Sequence, residues 1–148
     1  MKKFLCLFTA VLFCTAGFSQ NKAAMLKNYL EVKDALVNSD SKTAMNAINT
    51  FYQDMKNDPD FKGKTPLLNA TEKLNASGDL EKQREAFMEV SVSFWNIMKS
   101  GEKGNTQVYY QYCPMKKAYW LSTEKAIKNP YYGSAMLTCG KVTEKLKD

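Results

Sequence analysis

Histidine is missing from all 148 residues. That one absence excludes Ser-His-Asp and Cys-His nucleophile systems, histidine general-base chemistry and every imidazole-containing metal site. Clustered charge is missing too. The lysines are scattered and the net charge is only +6, a mild positive balance that reads as solubility and attraction to acidic partners, with no nucleic-acid interface. There are no internal repeats and no low-complexity tract. Cysteines number four, and no Cys-x-x-Cys redox pair occurs among them.

The only long apolar run sits at the start. Met1-Lys2-Lys3 precedes a stretch rich in Phe, Leu, Val and Ala, and the small residues Thr15, Ala16, Gly17 and Ser19 follow before polar sequence resumes at Asn21. A basic n-region, an apolar run of this length and small residues near its end are the signature of a signal peptide over residues 1–20. The run is too short for a membrane span. A lipoprotein anchored through Cys14 is the rival, but Phe13 stands where a small residue is expected. Cleavage near residues 19–21 leaves an exported, periplasmic chain with no span. Without Lys2 and Lys3 it keeps 19 basic against 15 acidic residues, a net +4, and only Cys113 and Cys139.

The mature chain, residues 21–148, reads as one domain. Leu26, Tyr29, Leu30, Leu36 and Val37 make an apolar stripe at helical spacing over 23–38, interrupted by Lys33. Residues 39–41 offer a cap for a second helix carrying Ala44, Ala47, Ile48, Phe51 and Met55. Thr65-Pro66 begins a third, with Leu67, Leu68, Thr71 and Leu74. Asp79 caps the longest, 80–99, with Leu80, Phe87, Val90 or Ser91, Phe94, Trp95 and Met98 inside. Glu81, Glu85 and Glu89 share one face of it and read as solvated. Met25, Met45, Met55, Met88 and Met98 read as core packing. The expected fold is all-α: an up-and-down four-helix bundle with an irregular, aromatic, cysteine-bearing C-terminal segment, in which 108–112 reads as briefly extended and 141–148 as a polar strand or a frayed helix. Six of the eight tyrosines fall between Tyr109 and Tyr132.

The candidate chemistry lies at 108–140. Proline disfavours helical geometry at the residue before it, so Cys113 is expected to be extended, with Met115 on the same side. Met136 and Cys139, three apart, share a face if their segment makes a helical turn. Together these four sulfurs form a donor set that selects Cu(I) or Ag(I), and aromatic faces such as Trp120 attract cations. The alternative is a Cys113–Cys139 disulfide, common in exported proteins. It would close a loop of 26 positions, worth ~3–4 kcal/mol in the chain-entropy model. No nucleophile-base pair is visible, and no enzyme is expected.

The runs Val108-Tyr109-Tyr110-Gln111-Tyr112-Cys113-Pro114-Met115, Trp120-Leu121-Ser122, Ile127-Lys128-Asn129-Pro130-Tyr131-Tyr132-Gly133 and Met136-Leu137-Thr138-Cys139-Gly140 carry a resemblance. So do Tyr29-Leu30, Lys33-Asp34-Ala35-Leu36-Val37 and Gln83-Arg84-Glu85-Ala86-Phe87. They resemble a domain family of unknown function that occurs as a small exported protein. The same domain is found appended to periplasmic adaptor subunits of copper and silver efflux pumps. Tyr112-Cys113-Pro114-Met115 also resembles the Tyr-x-Cys-Pro-Met-His-Pro motif of small heavy-metal-binding domains, with Lys116 in place of the histidine and Lys117 in place of the second proline. The resemblance implies a heavy-metal handling module. Its ligands would be Cys113, Met115, Met136 and Cys139, supported by Trp120, Tyr112, Asn129 and Gly133. Its partner would be an efflux adaptor or another envelope protein.

Overall fold

The computed structural model describes residues 16–100 and 106–146, with side chains from residue 21 onward. Residues 1–15 of the expected leader lie outside the described residues. Four helices come first: α1 (Ala16–Val37), α2 (Ser41–Asn57), α3 (Lys64–Asn75) and α4 (Leu80–Lys99). Their starts reflect local chemistry. The Asp40 carboxylate accepts from the Thr43 amide at 2.9 Å, and Asp79 accepts from the Lys82 amide at 2.9 Å, so each satisfies a first-turn N–H that the helix cannot. Both carboxyls are held below the usual range, Asp40 chiefly by the Thr43 hydroxyl and then its amide, Asp79 chiefly by the Lys82 amide and then its side chain. Pro66 sits in the first turn of α3, where its missing N–H costs nothing.

Each helix packs on the next, and α1 also meets α4. The core between them holds Tyr29, Leu36, Ile48, Phe51, Leu67, Leu74, Phe87 and Phe94, all essentially sealed from solvent. Lys33, the residue that breaks the apolar stripe of α1, is buried as well, and its ammonium pairs with the Asp34 carboxylate at 2.8 Å. Glu81, Glu85 and Glu89 face solvent.

The residues beyond α4 overturn the all-α expectation. Strands β1 (Val108–Cys113), β2 (Ala118–Ser122) and β3 (Lys141–Leu146) form an antiparallel sheet in the order β2-β1-β3. The molecule is therefore mixed, four helices with a three-stranded sheet. Strand β2 lies in what reads as irregular loop because both faces of the hairpin are covered, which erases the alternation that marks a half-exposed strand. Gln111, Cys113 and Trp120 point one way; Tyr110, Tyr112 and Tyr119 point the other, as the register of β1 on β2 requires. The first face lies under the 123–140 segment, with the Gln111 amide donating to the Glu124 carbonyl at 2.9 Å. The second meets α4: Tyr110 stacks between Trp95 at 4.4 Å and Tyr119 at 4.6 Å.

Two side chains weld sheet and loop to the helices. The Tyr29 ring stacks on Phe87 at 4.9 Å. Its hydroxyl bonds the Ser91 hydroxyl at 2.7 Å and accepts the Leu121 amide of β2 at 3.0 Å. Because Ser91 in turn donates to the Phe87 carbonyl, Tyr29 is the donor to Ser91. Burial drives the phenol pKa far above its ordinary value. Arg84 of α4 donates through Nε to the Pro130 carbonyl at 2.8 Å. Its Nη2 reaches the Leu36 carbonyl at 2.8 Å and Ser39 Oγ at 2.9 Å.

Replacing Tyr29 by Phe keeps the stacked ring but orphans the buried Leu121 N–H. The expected loss is about 1–3 kcal/mol of unfolding free energy, read from denaturant unfolding. A variant as stable as the wild type contradicts the role given to the hydroxyl.

Candidate metal centre

Cys113 closes β1, the central strand, and is completely buried (0% exposed). After it the chain turns back over 114–117 into β2, with Lys117 in the left-handed region at φ +54°. Pro114 keeps Cys113 extended and opens that turn. The amides of Met115 and Lys116 then point back at the Cys113 sulfur as hydrogen-bond donors. Cys139 arrives from the opposite direction, between the 3-10 turn Gly133–Met136 and β3, and is half-buried. The two sulfurs lie 3.6 Å apart. That is van der Waals contact, well beyond the ~2.05 Å of a disulfide, and both cysteines are free thiols.

The pair is electrostatically uneven. Burial pushes the Cys113 thiol up, but donors from the Lys116 amide, the Asn129 side chain, Cys139 and the Met115 amide outweigh it and leave it below its usual value. Cys139 is raised, first by its hydrogen bond with Cys113 and then by burial and by the neighbouring charge. The first proton lost by the pair therefore comes from Cys113, with the Cys139 thiol donating to the resulting thiolate.

Asn129 organises this contact. Fully buried, it donates from Nδ2 to the Cys139 carbonyl at 2.7 Å, and its Oδ1 accepts the Tyr131 amide at 2.8 Å. Its amide also donates to the Cys113 sulfur, so one side chain holds both cysteine-bearing segments. Two glycines permit the approach. A Cβ at Gly140 would lie 2.8 Å from Trp120 Cη2 and 3.0 Å from the Tyr112 carbonyl. One at Gly133, where φ is +56°, would meet Ser39 Oγ at 2.6 Å and the Arg84 guanidinium at 2.7 Å. Trp120 is buried beneath the Cys139 segment, edge-on to Tyr131 at 6.0 Å. Tyr112 lies on the far face of β1, against Tyr119 at 4.5 Å.

The methionines sit differently. Because the strand ends at Cys113, Met115 is a turn residue and 65% exposed, where extended geometry would have set it beside the thiol. Met136 is 37% exposed. Met136 is nonetheless tied to Cys139, whose amide donates to the Met136 carbonyl at 3.0 Å. Among the described residues no group of three or more Cys, Asp, Glu or His converges, so no carboxylate joins the two thiols. Such a donor set suits a soft ion and lacks the four nitrogen, oxygen or thiolate donors of a structural zinc site. Sequence reasoning missed Gln111 and Arg84, which look like ordinary polar residues of a strand and a helix. Only their burial or partners give them away.

Residues 25–106 match the model of a family described as "Protein of unknown function (DUF3347)", more than half of the chain. The chain belongs to the DUF3347 family. The matched region spans most of α1 and all of α2 to α4 and stops just before β1, so the DUF3347 match covers the helical layer and leaves the cysteine pair outside. Neither curated proteins nor solved structures give a match. Among the described residues no helix is long and apolar enough to cross a membrane.

The coupled thiols predict two steps in a pH titration of thiolate absorbance on reduced, metal-free protein, one below and one above the ordinary cysteine value. Asn129→Ala removes a donor to Cys113 and moves the lower step upward. Coincident steps at the ordinary value, unmoved by the substitution, contradict the arrangement.

Proposed function

We propose that this DUF3347 protein is an exported, periplasmic binding module for a soft monovalent ion, Cu(I) or Ag(I), serving heavy-metal efflux or handling. Cys113 and Cys139 act as thiolate ligands, and Met115 and Met136 add thioether donors from the rim. The observation that carries this reading is the contact of two reduced sulfurs at 3.6 Å, braced by backbone amides and Asn129. Amides aimed at sulfur stabilise thiolate, the form that binds metal, and a pair already side by side needs little reorganisation to chelate. Sulfur donors without nitrogen or carboxylate companions favour Cu(I)-type ions. No catalysis is assigned. The partner is an envelope protein such as an efflux adaptor; nucleic acid and membrane spans play no part.

A second reading uses the same pair differently. Two thiols in contact, in an oxidising compartment, are also poised to close as a disulfide, which would staple the end of β1 to the start of β3 in a purely structural or protein-docking module. Thiol counting on protein isolated without reductant separates the two. A staple leaves no free thiol and makes reduction cost about 3–4 kcal/mol of stability.

For the metal reading, reduced protein titrated with Cu(I) against a chromogenic chelator takes up one ion per chain. Cys139→Ser, at a half-exposed position, weakens binding beyond the roughly 10–100-fold that loss of an outer supporting residue costs. Unchanged competition in that variant contradicts the assignment.

A further inference from the structure

The two cysteines differ in every respect that governs exchange of a bound ion. Cys113 is sealed at the end of the central strand, where it pairs with Ala118 of β2. Cys139 is half-exposed on an irregular segment, with exposed Met136, Leu137 and Thr138 before it and exposed Met115 across from it. Lysines flank the two cysteines along the chain: Lys116 and Lys117 in the hairpin loop after Cys113, Lys141 two residues beyond Cys139. The Lys116 ammonium lies 5.7 Å over the Tyr132 ring, which keeps that charge near the rim.

Resting on the soft-metal reading above, we infer that the ion enters and leaves through Cys139, by way of a mixed-ligand complex in which Cys113 keeps hold while an anionic thiolate takes the place of Cys139. In the exchange, a lone pair of the incoming thiolate forms a new sulfur–metal bond and the Cys139–metal bond breaks. The freed Cys139 sulfur picks up a proton from water. No electrons change hands, so no oxidant or reductant is required. Charge selects the donor: three lysines flanking the cysteine-bearing segments favour a thiol that carries carboxylates over one that carries an amine. An acidic, cysteine-bearing protein surface and a small acidic thiol have the same chemistry, and the rim admits either. The thioethers of Met115 and Met136, on flexible side chains, shelter the ion while one thiolate replaces the other.

Glutathione serves as the anionic probe and cysteamine as the cationic one. Cys139→Ser loaded with Cu(I) in the presence of glutathione is expected to give a one-to-one-to-one protein, copper and thiol complex by native mass spectrometry. Cysteamine should support it about tenfold less well at low salt. Cys113→Ser should give no such complex. Because that substitution touches the core, a second measurement uses wild-type protein. In the copper-loaded form, residue-resolved alkylation should label Cys139 about tenfold or more faster than Cys113, in line with exposure. Equal labelling of the two, or the same ternary complex from Cys113→Ser, overturns the inference while leaving metal binding intact. Wild-type protein that takes up no Cu(I) overturns the metal reading itself and this inference with it.

Discussion

A single buried hydroxyl decides how the two halves of this molecule meet. Tyr29 spends its ring on the aromatic core of the helices and its oxygen on the backbone of β2. The Leu121 amide it accepts lies within the sheet layer, away from water, and a donor left unpaired there costs much more than an ordinary hydrogen bond gains. The Trp95–Tyr110–Tyr119 stack supplies area and dispersion beside it, but stacked rings tolerate sliding. The hydroxyl does not, so it fixes where the hairpin sits, and with it the end of β1 where Cys113 lies.

From that fixed point the site is built in short steps. Pro114 ends the strand, the turn aims two amides at the Cys113 sulfur, and Asn129 draws the Cys139 segment across it. Arg84 anchors the same loop to the end of α1 through the Pro130 and Leu36 carbonyls. The helical layer covered by the DUF3347 match thus acts as a platform, and the sulfur pair belongs to the cap it carries. Burial opposes ionisation at Cys113 while the converging donors favour it, and the donors prevail. A thiol in that balance is prepared for a metal or for a bond to its neighbour, and little suited to remaining an inert core atom.

Much of the helical layer was legible in the residues because helices advertise themselves locally. Asp79 followed by 80–99 gives a cap and a stripe, and α4 begins and ends there. Asp40 and Pro66 mark their helices in the same way. The extended reading of 108–112 matches β1, and the polar strand offered for 141–148 matches β3. Strand β2 was hidden for an equally physical reason: covered on both faces it shows no alternation, so Ala118–Ser122 reads as featureless loop. The convergence of Cys113 and Cys139 was anticipated from their chemistry. Met115 was expected beside them because the extended geometry at Cys113 was carried one residue too far, into a turn. Gln111 acts through tertiary hydrogen bonds that no local pattern encodes.

The proposed soft-ion handling and its competitor, the disulfide staple, both rest on the same two touching thiols. Metal content and thiol state of the protein isolated anaerobically from the envelope of copper-grown cells decide between them most directly. The account predicts close to one copper per chain, with both cysteines recovered as thiols once the metal is stripped. Metal-free protein with neither thiol titratable before reduction would contradict it.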